Sequence, residues 1–155
     1  MDNSSTLSEA IDVLLVEDNP NDAEFAMRAL RRGPTAPRVA HVEDGAKALD
    51  YLFCVGEWAA RDPDMVPKVI LLDLKLPKVD GLEVLRRLKS DPRTRDIPVV
   101  VLTSSKEPRD IKQSYASGVN SYVVKPVNFE SFNRCLSELA QYWLGVNQPA
   151  ISPNG

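Results

Sequence analysis

The sequence predicts an α/β fold built on a parallel sheet, and three observations predict it. Short aliphatic runs recur along the chain and stop abruptly at charged or hydroxyl residues. Segments with apolar residues at helical spacing lie between them, and prolines and glycines punctuate the joints. Five strand and helix pairs alternate in this way, which demands parallel strands joined by crossover helices on both faces of one sheet.

Residues 11–16, apolar apart from Asp12, form the first strand and stop at Glu17, Asp18, Asn19 and Pro20. Pro20 suits the first turn of a helix that carries Ala23, Ala26, Met27 and Leu30 and ends at Gly33 and Pro34. Residues 38–42 read as a weaker strand, and 45–55 as a helix with Ala46, Leu49, Leu52 and Phe53 on one face. The stretch 57–68, with two prolines and mixed charge, reads as a loop or irregular helix extension. Val69, Ile70, Leu71 and Leu72 form a buried strand ending at Asp73, and Asp80 caps a helix through Leu82, Leu85 and Leu88. Residues 97–102 are the next strand, ending in Thr103, Ser104 and Ser105. Pro108 opens a sparsely apolar helix with Ile111 and Tyr115, closed by Gly118. The last strand, 121–124, ends at Lys125 and Pro126, and a final helix from about Asn128 buries Phe129, Phe132, Leu136 and Leu139.

With 155 residues, 43% of them hydrophobic and 26% charged, the chain has the size and composition of one globular domain. A net charge of -3 argues against general binding to a nucleic-acid backbone. Apolar runs are too short to cross a bilayer, and the polar start lacks the basic flank and apolar stretch of a signal peptide. The expected location is the cytoplasm. Cys54 and Cys135, far apart and without neighbouring ligands, read as two buried reduced thiols.

In an open parallel sheet the site lies beyond the carboxyl ends of the strands. Glu17 and Asp18, Asp73, Thr103 and Lys125 stand at four of those ends. Crowded carboxylates repel unless a cation compensates, and oxygen-only ligation at an open site suits Mg²⁺. A hydroxyl and an ammonium facing that metal supply a hydrogen-bond donor and a second positive charge for a phosphoryl group. Singly, each residue has a plainer reading: an Asp after a strand is usually a turn or cap residue, a Thr satisfies local backbone, and a Lys is a solvated charge. Their coincidence at the strand ends points to phosphoryl chemistry at a carboxylate.

The runs Leu14-Leu15-Val16-Glu17-Asp18-Asn19 and Leu71-Leu72-Asp73-Leu74-Lys75-Leu76-Pro77, with Asp80-Gly81, Val101-Leu102-Thr103-Ser104 and Lys125-Pro126, resemble the receiver domain of two-component response regulators. The intervals of 30 residues from Asp73 to Thr103 and 22 from Thr103 to Lys125 are also similar to that family's. The resemblance implies a flavodoxin-like (βα)5 doubly wound sheet of strand order 2-1-3-4-5. It implies a flexible tail over 1–10, a receiver domain over 11–144 and a second tail over 145–155. Asp73 matches the phosphoacceptor. Asp18, Asp73 and the backbone carbonyl of Lys75 match the Mg²⁺ ligands, with Glu17 acting through water. Lys125 matches the phosphate-pairing lysine, Thr103 and Tyr122 the switch pair, and the Lys125-Pro126 bond a cis peptide. Lys75 occupies a position that the family varies and that affects the lifetime of the phosphorylated state.

On this reading a sensor histidine kinase phosphorylates Asp73, and the protein catalyses its own phosphoryl transfer and dephosphorylation without being an enzyme for other substrates. The long second helix, the 57–68 insert and the tail after Trp143 resemble stand-alone regulators that partner phytochrome kinases. After the fifth helix the sequence has too few residues for a DNA-binding module, so output is expected through a protein partner. A carboxylate-nucleophile phosphatase is the first alternative, but its motif has a second Asp where Lys75 stands. A flavodoxin-like cofactor carrier is another, although Glu17 and Asp18 would repel a nucleotide. A catalytically idle scaffold fits poorly with the full polar set. Tyr142, Trp143 and Leu144, three consecutive apolar residues spreading around the last helix, are expected to form a homodimer interface; a last turn folded over its own domain is the plainer reading.

Overall fold

The computed structural model describes residues 10–33 and 35–150, and the terminal segments 1–9 and 151–155 of the two expected tails lie outside them. Five parallel strands, β1 (Val13–Val16), β2 (Val39–Val42), β3 (Val69–Leu72), β4 (Val99–Thr103) and β5 (Ser121–Val124), form one sheet in the order β2-β1-β3-β4-β5. The register pairs Val13 with both Val39 and Val69, so the strand ends stay level across the middle of the sheet. Five helices connect or follow the strands: α1 (Pro20–Arg32), α2 (Gly45–Leu52), α3 (Gly81–Ser90), α4 (Pro108–Ala116) and α5 (Phe129–Gln141). This is the flavodoxin-like topology expected from the motifs.

Strand residues alternate between faces, and both faces are covered, which is why β1 and β3 are apolar without interruption. Leu14, Val16, Ile70, Leu72, Val99 and Val101 pack against Ala48, Leu49 and Leu52 of α2 and Val84, Leu85 and Leu88 of α3. On the other face Val13, Leu15, Val69, Leu71, Val100 and Leu102 meet Ala23, Ala26 and Leu30 of α1 and Phe132, Leu136 and Ala140 of α5. Helix α4 buries only Ser114 fully, so it is the least anchored of the five helices.

Several expectations change. Helix α2 stops at Leu52, where Cys54 at φ 55° and Gly56 at φ 62° turn the chain into a short 3-10 turn, Gly56–Trp58. The insert that follows is pinned by Arg61, which is buried: its guanidinium stacks on the Tyr51 ring at 3.9 Å and donates to the carbonyls of Tyr51 and Met65. Phe129 does not enter the core. As the first residue of α5 it lies past the sheet's edge, 52% exposed, with its ring edge-on to Phe25 at 5.2 Å. Both cysteines are half-buried rather than buried. The Lys125-Pro126 peptide is trans, the isomer ordinarily preferred before proline.

Candidate functional site

Four expected residues meet at the carboxyl ends of the strands. Glu17, Asp18 and Asp73 each place a carboxylate oxygen within 4.8 Å of the others, which makes an all-oxygen cluster suited to a hard divalent cation. Asp18 is exposed, whereas Glu17 and Asp73 are buried. The Lys125 ammonium reaches into this cluster from the end of β5, 2.5 Å from Glu17 Oε1 and 3.0 Å from Asp73 Oδ2. A third carboxylate completes its shell: Asp22 Oδ2, also at 3.0 Å.

Local sequence sets these positions. Asn19 caps α1 by accepting from the N–H groups of Asn21 and Asp22, and Glu17 Oε2 accepts from the Asn19 N–H at 3.1 Å. Asp22 therefore sits in the first turn of α1, one helical turn beyond Asp18. His41 on β2 steadies the same loop: its Nε2 lies 2.8 Å from the Glu17 carbonyl, and because a carbonyl only accepts, that nitrogen carries the proton. Asp73 Oδ1 accepts from the Lys75 N–H at 3.2 Å. The loop after Asp73 is held closely by α3, since a Cβ at Gly81 would lie 2.3 Å from the Asp73 carbonyl oxygen and 2.5 Å from Leu74 Cα. No side chain fits there without moving the site. The side chain of Lys75 is exposed at the mouth of this loop.

Charge in the cluster is strongly perturbed. Burial pushes the Glu17 carboxyl up to about 7, with the neighbouring Asp73 adding to the rise against the pull of Lys125. Burial works to lower the Lys125 value, but the bond to Glu17 and the charges of Asp73 and Glu17 outweigh it and raise it, so this lysine is firmly an ammonium. Such a cluster can bind a divalent cation and present a cation and a carboxylate to one incoming anionic group.

Thr103 is fully buried, and its Oγ1 accepts from the Ser105 N–H at 3.4 Å. Tyr122, half-buried on β5, donates its hydroxyl to the Ser105 carbonyl at 2.9 Å. Burial raises the Tyr122 value, which keeps the phenol neutral and a donor. The two expected switch residues thus meet through Ser105 rather than directly. Among the described residues, no hydrogen bond joins Thr103 to Asp73.

Residues 13–136 match the response regulator receiver domain family. The chain belongs to that family. FilR2 of Methanothrix harundinacea, a probable methanogenesis regulatory protein, is 46% identical to this receiver domain over 136 residues, which are 88% of this chain and 85% of FilR2. The phosphorylated cyanobacterial phytochrome response regulator RcpA is 38% identical and superposes with a TM-score of 0.85, over 92% of this chain and all of RcpA. Response regulator Rcp1, solved in its Mn²⁺-bound form, gives a TM-score of 0.84 at 33% identity, over 91% of this chain and 99% of the other.

Tyr142, Trp143 and Leu144 stand apart from the site in a π-helical turn, Tyr142–Val146, that continues α5. Trp143 and Leu144 pack partly against the α1 and α5 core, while Tyr142 is exposed, edge-on to Trp143 at 4.9 Å. Sequence reasoning missed Asp22, Ser105 and His41. The i, i+4 spacing from Asp18 to Asp22 was the available signal for the first, because it places both carboxylates on one side of the helix start.

Proposed function

We propose that this receiver domain accepts a phosphoryl group on Asp73 from the phosphohistidine of a sensor kinase. The observation that carries this reading is the Lys125 ammonium 3.0 Å from an Asp73 oxygen inside a cluster with Glu17 and Asp18. In the reaction an Asp73 oxygen attacks phosphorus, the phosphorus–nitrogen bond breaks, and the imidazole leaves with that electron pair. Asp18, Asp73, the Lys75 carbonyl and, through water, Glu17 would hold Mg²⁺, whose charge neutralises the transferring oxygens when it is bound. Lys125 pairs with a phosphoryl oxygen and so stabilises both transfer and product. Hydrolysis of the acyl phosphate at the same site restores the carboxylate, so the protein takes part catalytically in its own cycle.

The acyl phosphate draws Thr103 toward Asp73, and Ser105 transmits that movement to Tyr122 and the loop before α4. The sparse anchoring of α4 supports this as the surface that changes. The likeness to RcpA supports a phytochrome-type kinase as partner. The donor protein reaches the site past a cavity of about 350 Å³ lined by Asp22, Phe25, Lys125, Val127 and Phe129, with Phe25, Val127 and Phe129 exposed at its rim. We place the receiver unit at 11–144, in a cytoplasmic protein that dimerises through Tyr142, Trp143 and Leu144. Among the described residues no helix is long and apolar enough to cross a membrane.

Labelling by acetyl phosphate with Mg²⁺ tests the central step. Asp73→Asn should abolish labelling, because an amide lacks the anionic nucleophile, and undiminished labelling of that variant would overturn the assignment.

A further inference from the structure

We propose that Asp22 is a positioning residue: it holds the Lys125 ammonium in the unphosphorylated protein and competes for it with the incoming phosphoryl oxygen. The inference rests on the reading of Asp73 as phosphoacceptor. An ammonium has three N–H bonds, and in this structure each has a carboxylate within reach, Glu17 at 2.5 Å and Asp22 and Asp73 at 3.0 Å. The Lys125 side chain is only 8% exposed, so water has little room to exchange with these partners. Every donor is committed before any phosphoryl group arrives. Pairing with a phosphoryl oxygen therefore requires one carboxylate to let go.

The three carboxylates differ in what release costs them. Glu17, 5% exposed at its side chain, would be left a buried carboxyl short of a partner and out of reach of water, which is unfavourable. Asp73 carries the new group and cannot leave. Asp22 is 37% exposed and lines the open cavity beside Lys125, so on release its carboxylate hydrates at once. It is also the only one of the three outside the candidate metal cluster. Asp22 is thus the partner that gives way, and while in place it also sets a negative charge near the position that the phosphoryl group takes. Removing that charge should favour the phosphorylated arrangement on both counts.

Beryllofluoride, a phosphoryl mimic, tests this by calorimetric titration at saturating Mg²⁺, with melting curves to confirm that each variant is folded. Asp22→Asn should bind it about tenfold more tightly than the wild type, the scale of one charge-assisted contact freed from competition. Asp22→Ser, which keeps a small polar group in the first turn of α1, should tighten binding similarly. A carboxylate that merely braced the helix start would leave affinity unchanged or lower it on removal. Equal or weaker binding by both variants would overturn the proposal. Undiminished binding by Asp73→Asn would instead remove the phosphoacceptor reading on which it rests.

Discussion

The Tyr122 hydroxyl donates to the Ser105 carbonyl at 2.9 Å, and the Ser105 N–H in turn donates to Thr103 Oγ1 at 3.4 Å. One loop residue therefore joins the end of β4 to a residue within β5. Its own hydroxyl donates to Asp110 Oδ2 at 2.6 Å and accepts from the Glu107 N–H at 3.2 Å, which extends the connection to the start of α4. In the proposed switch, a displacement of Thr103 would pass through this set of bonds to α4, the helix with the fewest buried residues.

Tyr122→Phe removes the donor and leaves the Ser105 carbonyl without it. The variant should lose about 1 kcal/mol of stability, and amide hydrogen exchange over 104–107 should quicken. Labelling of Asp73 by acetyl phosphate should stay within about twofold of wild type, since the phenol touches none of the carboxylates that bind Lys125. Unchanged exchange in that loop would show that the bond does not restrain it.

Lys89 holds the opposite end of the sheet. Its ammonium donates to the Arg95 and Ile97 carbonyls and to Asn120 Oδ1, each at 2.9 Å, and that same Asn120 oxygen accepts from the Val99 N–H. Burial lowers the Lys89 value from its usual range, yet three acceptors converge on its charged form. Lys89→Met keeps the stem and discards the bonds, so it should destabilise the fold by about 2 kcal/mol. Urea denaturation should show a lower midpoint with an unchanged slope, and a midpoint equal to that of the wild type would deny the lysine this role.

The parts legible in the sequence were those that a single physical rule dictates. Strands covered on both faces must be apolar throughout, so β1, β3 and β4 stand out, and the polar residues that end them gather at one edge. Arg61 was illegible because a charged residue in a proline-containing insert reads as solvated. Only the three-dimensional approach of Tyr51 and Met65 buries it. Asp22 has an ordinary local explanation as an acid in a helix's first turn, and its contact with Lys125 spans 103 residues of sequence. Phe129 misled for a related reason: helical spacing fixes a face, but not how far the first turn extends past the sheet.

Lys75 should prolong the acyl phosphate. Its N–H is occupied by Asp73 Oδ1, while its side chain is exposed at the mouth of the site. From there the ammonium can pair with a phosphoryl oxygen or obstruct an attacking water. Lys75→Ala keeps the backbone and removes the charge, and the labelled protein should then decay several-fold faster. An unchanged decay rate would mean that this side chain has no part in the lifetime.

The proposed dimer can be separated from the folding of the last turn because the three aromatic and aliphatic residues behave differently. Trp143 and Leu144 contribute to the protomer's own core, so replacing them weakens the fold as well as any interface. Tyr142 is 48% exposed and Val146 73% exposed, and burying such side chains between two copies would remove apolar surface from water at each. The doubled variant Tyr142→Ala with Val146→Ser should therefore leave the melting temperature of the protomer nearly unchanged while lowering the dimer's affinity about tenfold or more. Light scattering over a micromolar concentration series reads the two states directly. A wild-type chain that remains monomeric throughout that series would rule out the dimer. A doubled variant that dimerises as well as wild type would move the interface elsewhere on the molecule.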